Sequence, residues 1–285
     1  MEVNLNKNSI VAESYNKAIE AGFDNFLEEH ATFDNYEVKI DEEKLIQEVE
    51  EEWLNKAIDD IGNITPKEYI NSFVSLQDVM DFFIEVASVS DVGIPDIVVE
   101  RFKEHGLPAA DMLFEFIKNN IDGQEDSDRL ALLHAIFAIG SLRYNEYKGK
   151  LIGMLMEYSK EEMISEAICA AIIEYGDGIL NQLIKSFNEA KHELIKENLL
   201  ICIAEISKEH PSDEVFLLLK NAFRVLENIK MVAEVLGDYG DGRAIPMLRG
   251  YIIKNTNQID KETLNLIIAV IKKLGGEIDD LSYSN

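Results

Sequence analysis

The chain has 285 residues, of which 47% are hydrophobic and 28% charged, and its formal net charge at pH 7 is −27. The apolar content supports a substantial core and argues against global disorder, while the charge opposes the phosphate backbone of nucleic acids and anionic membrane surfaces alike. Residues 1–125 hold 29 acidic and 9 basic residues, a balance of −20, against 25 and 18, a balance of −7, for residues 126–285.

The first expected helix runs from about Asn8 to His30, with Ile10, Tyr15, Ala18, Ile19, Phe23, Phe26 and Leu27 on its apolar side. Ala31 to Ile40 breaks the pattern, and Asp34-Asn35 favours a turn. From Asp41 a second helix carries Leu45, Ile46, Val49, Trp53, Leu54 and Ile58, and the run Glu48-Val49-Glu50-Glu51-Glu52 reads as its solvated outer side. Thr65 is a good N-cap, Pro66 a good first helical residue and Glu68 the partner of a capping box. Leu76 to about Val89 follows as a helix with Val79, Phe82, Phe83 and Val86 on one side. After the turn at Ser90–Pro95 come two short helices, Pro95 to Glu104 and Pro108 to Asn120, separated by His105-Gly106-Leu107. Ile121 to Asp126 is the best candidate boundary, with continuous packing expected across it. It divides the chain into an acidic helical part, 1–123, that is either a cap or a set of degenerate repeats, and a repeat array, 124–285.

The array is organised around Leu236-Gly237-Asp238-Tyr239-Gly240-Asp241-Gly242-Arg243-Ala244-Ile245-Pro246-Met247-Leu248. Gly240 or Gly242 suits a left-handed helix stop, Asp241 caps the next helix and Pro246 sits in its first turn. The product is a helical hairpin. Tyr175-Gly176-Asp177-Gly178 repeats it earlier in the chain, and Leu142, Ile206 and Leu274 occupy equivalent positions. Steps between these positions of about 33, 31, 33 and 35 residues are the signature of an α-solenoid.

Gly240-Asp241-Gly242-Arg243-Ala244-Ile245-Pro246-Met247-Leu248 resembles the turn and second helix of short HEAT-like repeats of the phycobilisome-lyase type, which show Gly-Asp-x-Arg-Ala, then Val or Ile, Pro, any residue and Leu. The Tyr175 repeat keeps the turn without the arginine or proline. The resemblance covers roughly residues 124–285 and implies a right-handed solenoid; such arrays serve many tasks. Trp53-Leu54 with Thr65-Pro66 also resembles a small helical element of bacterial proteins, which contacts a partner in some toxin–antitoxin systems. Here Ala57 replaces that element's first proline.

Little in the sequence points to chemistry. The five histidines, His30, His105, His134, His192 and His210, are far apart, and three of them end predicted helices, where a histidine favours the dipole. HEAT-like di-iron hydroxylases carry His-Glu pairs in several repeats, and this chain has one, His192-Glu193. Cys169 and Cys202 lie in apolar helices of adjacent repeats and read as buried small hydrophobes. No phosphate loop, nucleophile elbow or zinc-protease helix is present. Lyase activity is implied by the resemblance alone, and a glycosylase-like role conflicts with the charge.

The candidate partner-binding residues are of two kinds. The acidic excess suits colloidal solubility or a basic partner, and the second reading singles out Glu48, Glu50, Glu51 and Glu52. The second helices of the hairpins carry Lys148, Lys150, Lys185, Lys220, Arg224 and Arg249, which read as a basic ladder for an acidic segment or as ordinary exposed residues. No apolar run reaches the roughly 18 residues of a membrane span, and residues 1–7 lack a secretory pattern. The expectation is therefore an all-α, right-handed α-solenoid with a helical acidic N-terminal part, cytoplasmic and without cofactor. Its expected role is non-catalytic protein–protein interaction as scaffold, adaptor or inhibitor of a basic partner. The alternative is a degenerate HEAT-like enzyme acting on a small molecule or nucleic acid.

Overall fold

The computed structural model describes residues 6–30, 41–123 and 126–278. The expected break at Ala31–Ile40 and the tail Asp279–Asn285 lie outside them. Among the described residues the chain is all-helical, fifteen α-helices with two short 3-10 turns and no strand beyond an isolated bridge between Ile58 and Ile64. It divides into two compact units, Met1–Tyr144 and Asn145–Asn285.

The first unit contains α1 (Lys7–His30), α2 (Glu42–Leu54), α3 (Pro66–Asn71), α4 (Leu76–Ala87), α5 (Asp96–His105), α6 (Leu107–Asn120) and α7 (Asp126–Leu142). Its helix starts are written locally. Thr65 accepts from the Glu68 amide while Glu68 accepts from Thr65, a complete capping box with Pro66 beside it, and Ser75 with Asp78 repeats the device at α4. The core follows from helical spacing: Val11, Tyr15 and Ile19 turn one face of α1 inward, and α1 packs against α2 and α4. Gly22 lets α1 and α2 meet, because a Cβ there would stand 2.4 Å from Cγ2 of Val49. Phe83 of α4 meets Phe102 of α5 with ring centroids 5.6 Å apart. The expected boundary at Ile121–Asp126 falls between α6 and α7, which pack together within this unit.

The second unit contains α8 (Asn145–Glu157), α9 (Glu162–Ile173), α10 (Asp177–Glu189), α11 (Glu193–Ser207), α12 (Asp213–Val225), α13 (Ile229–Tyr239), α14 (Ile245–Lys254) and α15 (Lys261–Lys273). Here α9, α11, α13 and α15 stack in succession, and α8, α10, α12 and α14 each pack on the helix that follows. At the central hairpin Gly240 takes φ 79°, so it is the residue that stops α13, and the Asp241 carboxylate accepts from the Arg243 amide at 2.9 Å.

Contacts spaced by about one repeat join successive hairpins. Arg243 reaches back to Asp213 at 2.6 Å and lies over the Phe216 ring, 4.3 Å from its centroid, while the Asp241 carboxylate accepts from its Nε and Nη2 edge. Tyr239 is reached the same way: its hydroxyl accepts from the Ser212 amide at 2.8 Å and donates to the Ser212 carbonyl at 3.2 Å. The end of α13 is thereby tied to the start of α12, at the turn of the preceding hairpin.

Candidate functional site

In the first unit, α1, α2 and the segment leading into α5 surround a cleft of about 500 Å³. Tyr15 contributes from α1; Glu42, Glu43, Ile46, Gln47 and Glu50 from α2; and Val92, Ile94 and Asp96 from the entry to α5. Four carboxylates therefore line it beside the apolar side chains of Ile46, Val92 and Ile94, and no basic residue among the described ones does.

Glu50 is the organising group. A 3.6-residue period sets it with Ile46 and Trp53 on the buried side of α2, and it is 8% exposed. Helix α5 begins after Pro95, whose side chain offers no cap. Glu50 supplies one from 46 positions away, its Oε1 accepting from the Asp96 amide at 2.8 Å. Burial, and then the neighbouring Asp96 carboxylate, push the Glu50 carboxyl up to about 7, against the opposing pull of the Asp96 and Ile97 amides. The expected solvated position of Glu50 is thus corrected. The signal was present in the spacing and was masked by the run of acids around it.

Tyr15 is 1% exposed, its ring tilted against Trp53 at 5.0 Å between centroids. Burial raises its phenol above the ordinary range, and the Glu50 and Asp96 charges add to this. Trp53 is held in turn by its indole N–H, which donates to Ser14 Oγ at 2.9 Å. The opposite wall is fixed through Ser90: the buried His134 of α7 donates from Nε2 to the Ser90 carbonyl at 2.8 Å, and Ser90 Oγ donates to the Gly93 carbonyl. Burial lowers the His134 pKa, which keeps the ring neutral and suited to that single donation.

The other predicted residues are distributed as follows. Glu48, Glu51 and Glu52 are exposed on α2, with Glu42 and Glu43 one to three turns earlier. In the second unit Lys148 donates to the Gly178 carbonyl at 2.9 Å and lies 5.6 Å from the Tyr175 ring centroid. Lys150 stands over Tyr147, Lys185 pairs with Glu189, and Arg249 donates to the Glu277 carbonyl. Lys220 is half-buried and Arg224 exposed on α12. Four of the six bases thus serve contacts within the unit.

Cys169 and Cys202 are both buried on the stacked helices α9 and α11. Hydrogen bonding with Cys169, and then burial, hold the Cys202 thiol well above its ordinary pKa, so it has little thiolate character. Among the described residues no group of three His, Cys, Asp or Glu is arranged to hold a metal ion, and no helix is long and apolar enough to cross a membrane. Comparison with protein-family models, curated proteins and solved structures finds no match.

Proposed function

We propose that this chain is a non-catalytic, cytoplasmic protein-interaction module whose acidic first unit engages a basic protein segment. In this reading the second unit is a right-handed α-solenoid of HEAT-like hairpins that serves as a scaffold. The succession of α9, α11, α13 and α15, and the contacts between hairpins about one repeat apart, support that architecture.

The observation that carries the functional reading is the surface of α2. Its exposed acids Glu42, Glu43, Glu48, Glu51 and Glu52 face one base on the same helix, Lys44, which lies 3.5 Å from Glu48. Like charges crowded on one helix cost stability, and a basic partner turns that cost into complementarity and faster association. The test is capture of partners from extract of the native host at low and high salt, with wild type and with Glu48, Glu51 and Glu52 changed to Gln. A dominant basic partner released by salt, and lost with the triple variant, supports the reading. A partner held equally by both proteins at both salt concentrations overturns it.

A further inference from the structure

We infer that the cleft between Tyr15, Glu50 and Asp96 is a receptor for one alkyl ammonium or guanidinium group, the side chain of a lysine or arginine in a basic partner segment. The inference rests on the proposed role of the first unit and adds to it the anchor point.

Three observations converge on a cation. The first is the lining: four carboxylates and no base among the described residues, arranged around about 500 Å³. A concave, partly desolvated site strengthens each charge interaction within it. The second is Tyr15. It is almost wholly buried and lines the cleft, and its hydroxyl makes no hydrogen bond among the described residues. The polar end of Tyr15 is therefore left to whatever occupies the cleft. An N–H donor entering the cleft satisfies the phenol oxygen and meets the carboxylates of Glu50 and Asp96 together. The third is the wall of Ile46, Val92 and Ile94, which suits the methylene stem of a long basic side chain. Glu50 has the Asp96 amide on one oxygen, so its carboxyl group is oriented before any ligand arrives.

The groups facing Glu50 are Tyr15 from α1, Asp96 from the start of α5, and Glu42 and Glu43 along α2. Burial and the Asp96 carboxylate favour its protonated form against the pull of the Asp96 and Ile97 amides, so the free cleft is partly protonated near neutrality and an entering cation displaces that proton. Binding therefore strengthens as pH rises through the Glu50 titration.

The test titrates n-butylguanidinium and n-butylammonium into the full chain, with neutral n-butylurea as control, followed by backbone amide NMR. The expected result is saturable shifts at Tyr15, Glu50, Asp96 and Ile97 with both cations and none with the urea. Affinity should rise several-fold from about pH 6 to about pH 8, and this slope should vanish in Glu50→Gln. Gln retains an oxygen for the Asp96 amide, and Tyr15→Phe gives up no existing hydrogen bond, so both variants keep the fold; each should weaken the cations. Shifts scattered over the exposed acids without saturation, equal shifts with the urea, or unchanged binding in both variants would overturn the inference. An oligo-arginine peptide separates it from the broader reading. Salt-sensitive peptide binding that both cleft variants retain keeps the acidic surface and sinks the cleft. Entry of the small cations, with peptide binding indifferent to loss of Glu48, Glu51 and Glu52, keeps the cleft and sinks the surface.

Discussion

The Asp96 amide, at the start of α5, donates to a carboxylate oxygen of Glu50 on α2 at 2.8 Å. One bond therefore caps a helix, closes a cleft and places a charge where water is scarce. Its stability effect has a defined sign. The folded chain raises the Glu50 carboxyl from about 4.5 to about 7, so the native state binds the proton more tightly than the unfolded chain does. That contribution is fully present below about pH 4.5 and is lost as pH rises through about 7. Denaturant unfolding of wild type and Glu50→Gln at both ends of this window should show the variant gaining on wild type by about 1–3 kcal/mol toward high pH. A constant gap would mean that Glu50 titrates normally.

Two buried tyrosines should respond differently to loss of the hydroxyl. Tyr239 satisfies both the amide and the carbonyl of Ser212, so Tyr239→Phe should destabilise by about 1–2 kcal/mol. Tyr15 gives up no hydrogen bond, and Tyr15→Phe should leave stability within about 0.5 kcal/mol of wild type. Midpoints and slopes of urea unfolding decide both.

Gly22 and Val49 should be coupled. A methyl added at Gly22 meets Val49 Cγ2 at 2.4 Å, so Gly22→Ala trades a better helix propensity for a clash between α1 and α2. A double-mutant cycle with Val49→Ala should return a coupling of about 1 kcal/mol or more, the second change relieving the first. Additive effects would show that the two helices separate freely.

His134 should govern one wall of the cleft. His134→Ala leaves the Ser90 carbonyl without its buried donor. Hydrogen exchange should rise at residues 90–94, and exchange across α1 should change little. Uniform acceleration through the unit would instead assign His134 to global stability.

Local chemistry made much of the fold legible. The missing side chain of Gly240, the carboxylate of Asp241 and the ring of Pro246 set their own turn conformations, and Thr65 with Glu68 carries a capping box within four residues. Glu50 was not legible by the same route, since its partner is an amide 46 positions away and its neighbours Glu48, Glu51 and Glu52 are exposed. The basic ladder shows the same limit. Spacing placed Lys148 on a second helix, but only packing could show that it ends on the Gly178 carbonyl.

The most direct test of the account is the affinity of the captured partner for wild type and for the Glu48, Glu51 and Glu52 triple variant, followed across salt. Wild type should lose about tenfold or more between about 50 and about 300 mM salt, and the variant should be weaker at low salt and flatter throughout. Equal affinities with equal salt slopes would contradict the central claim that α2 presents the binding charge.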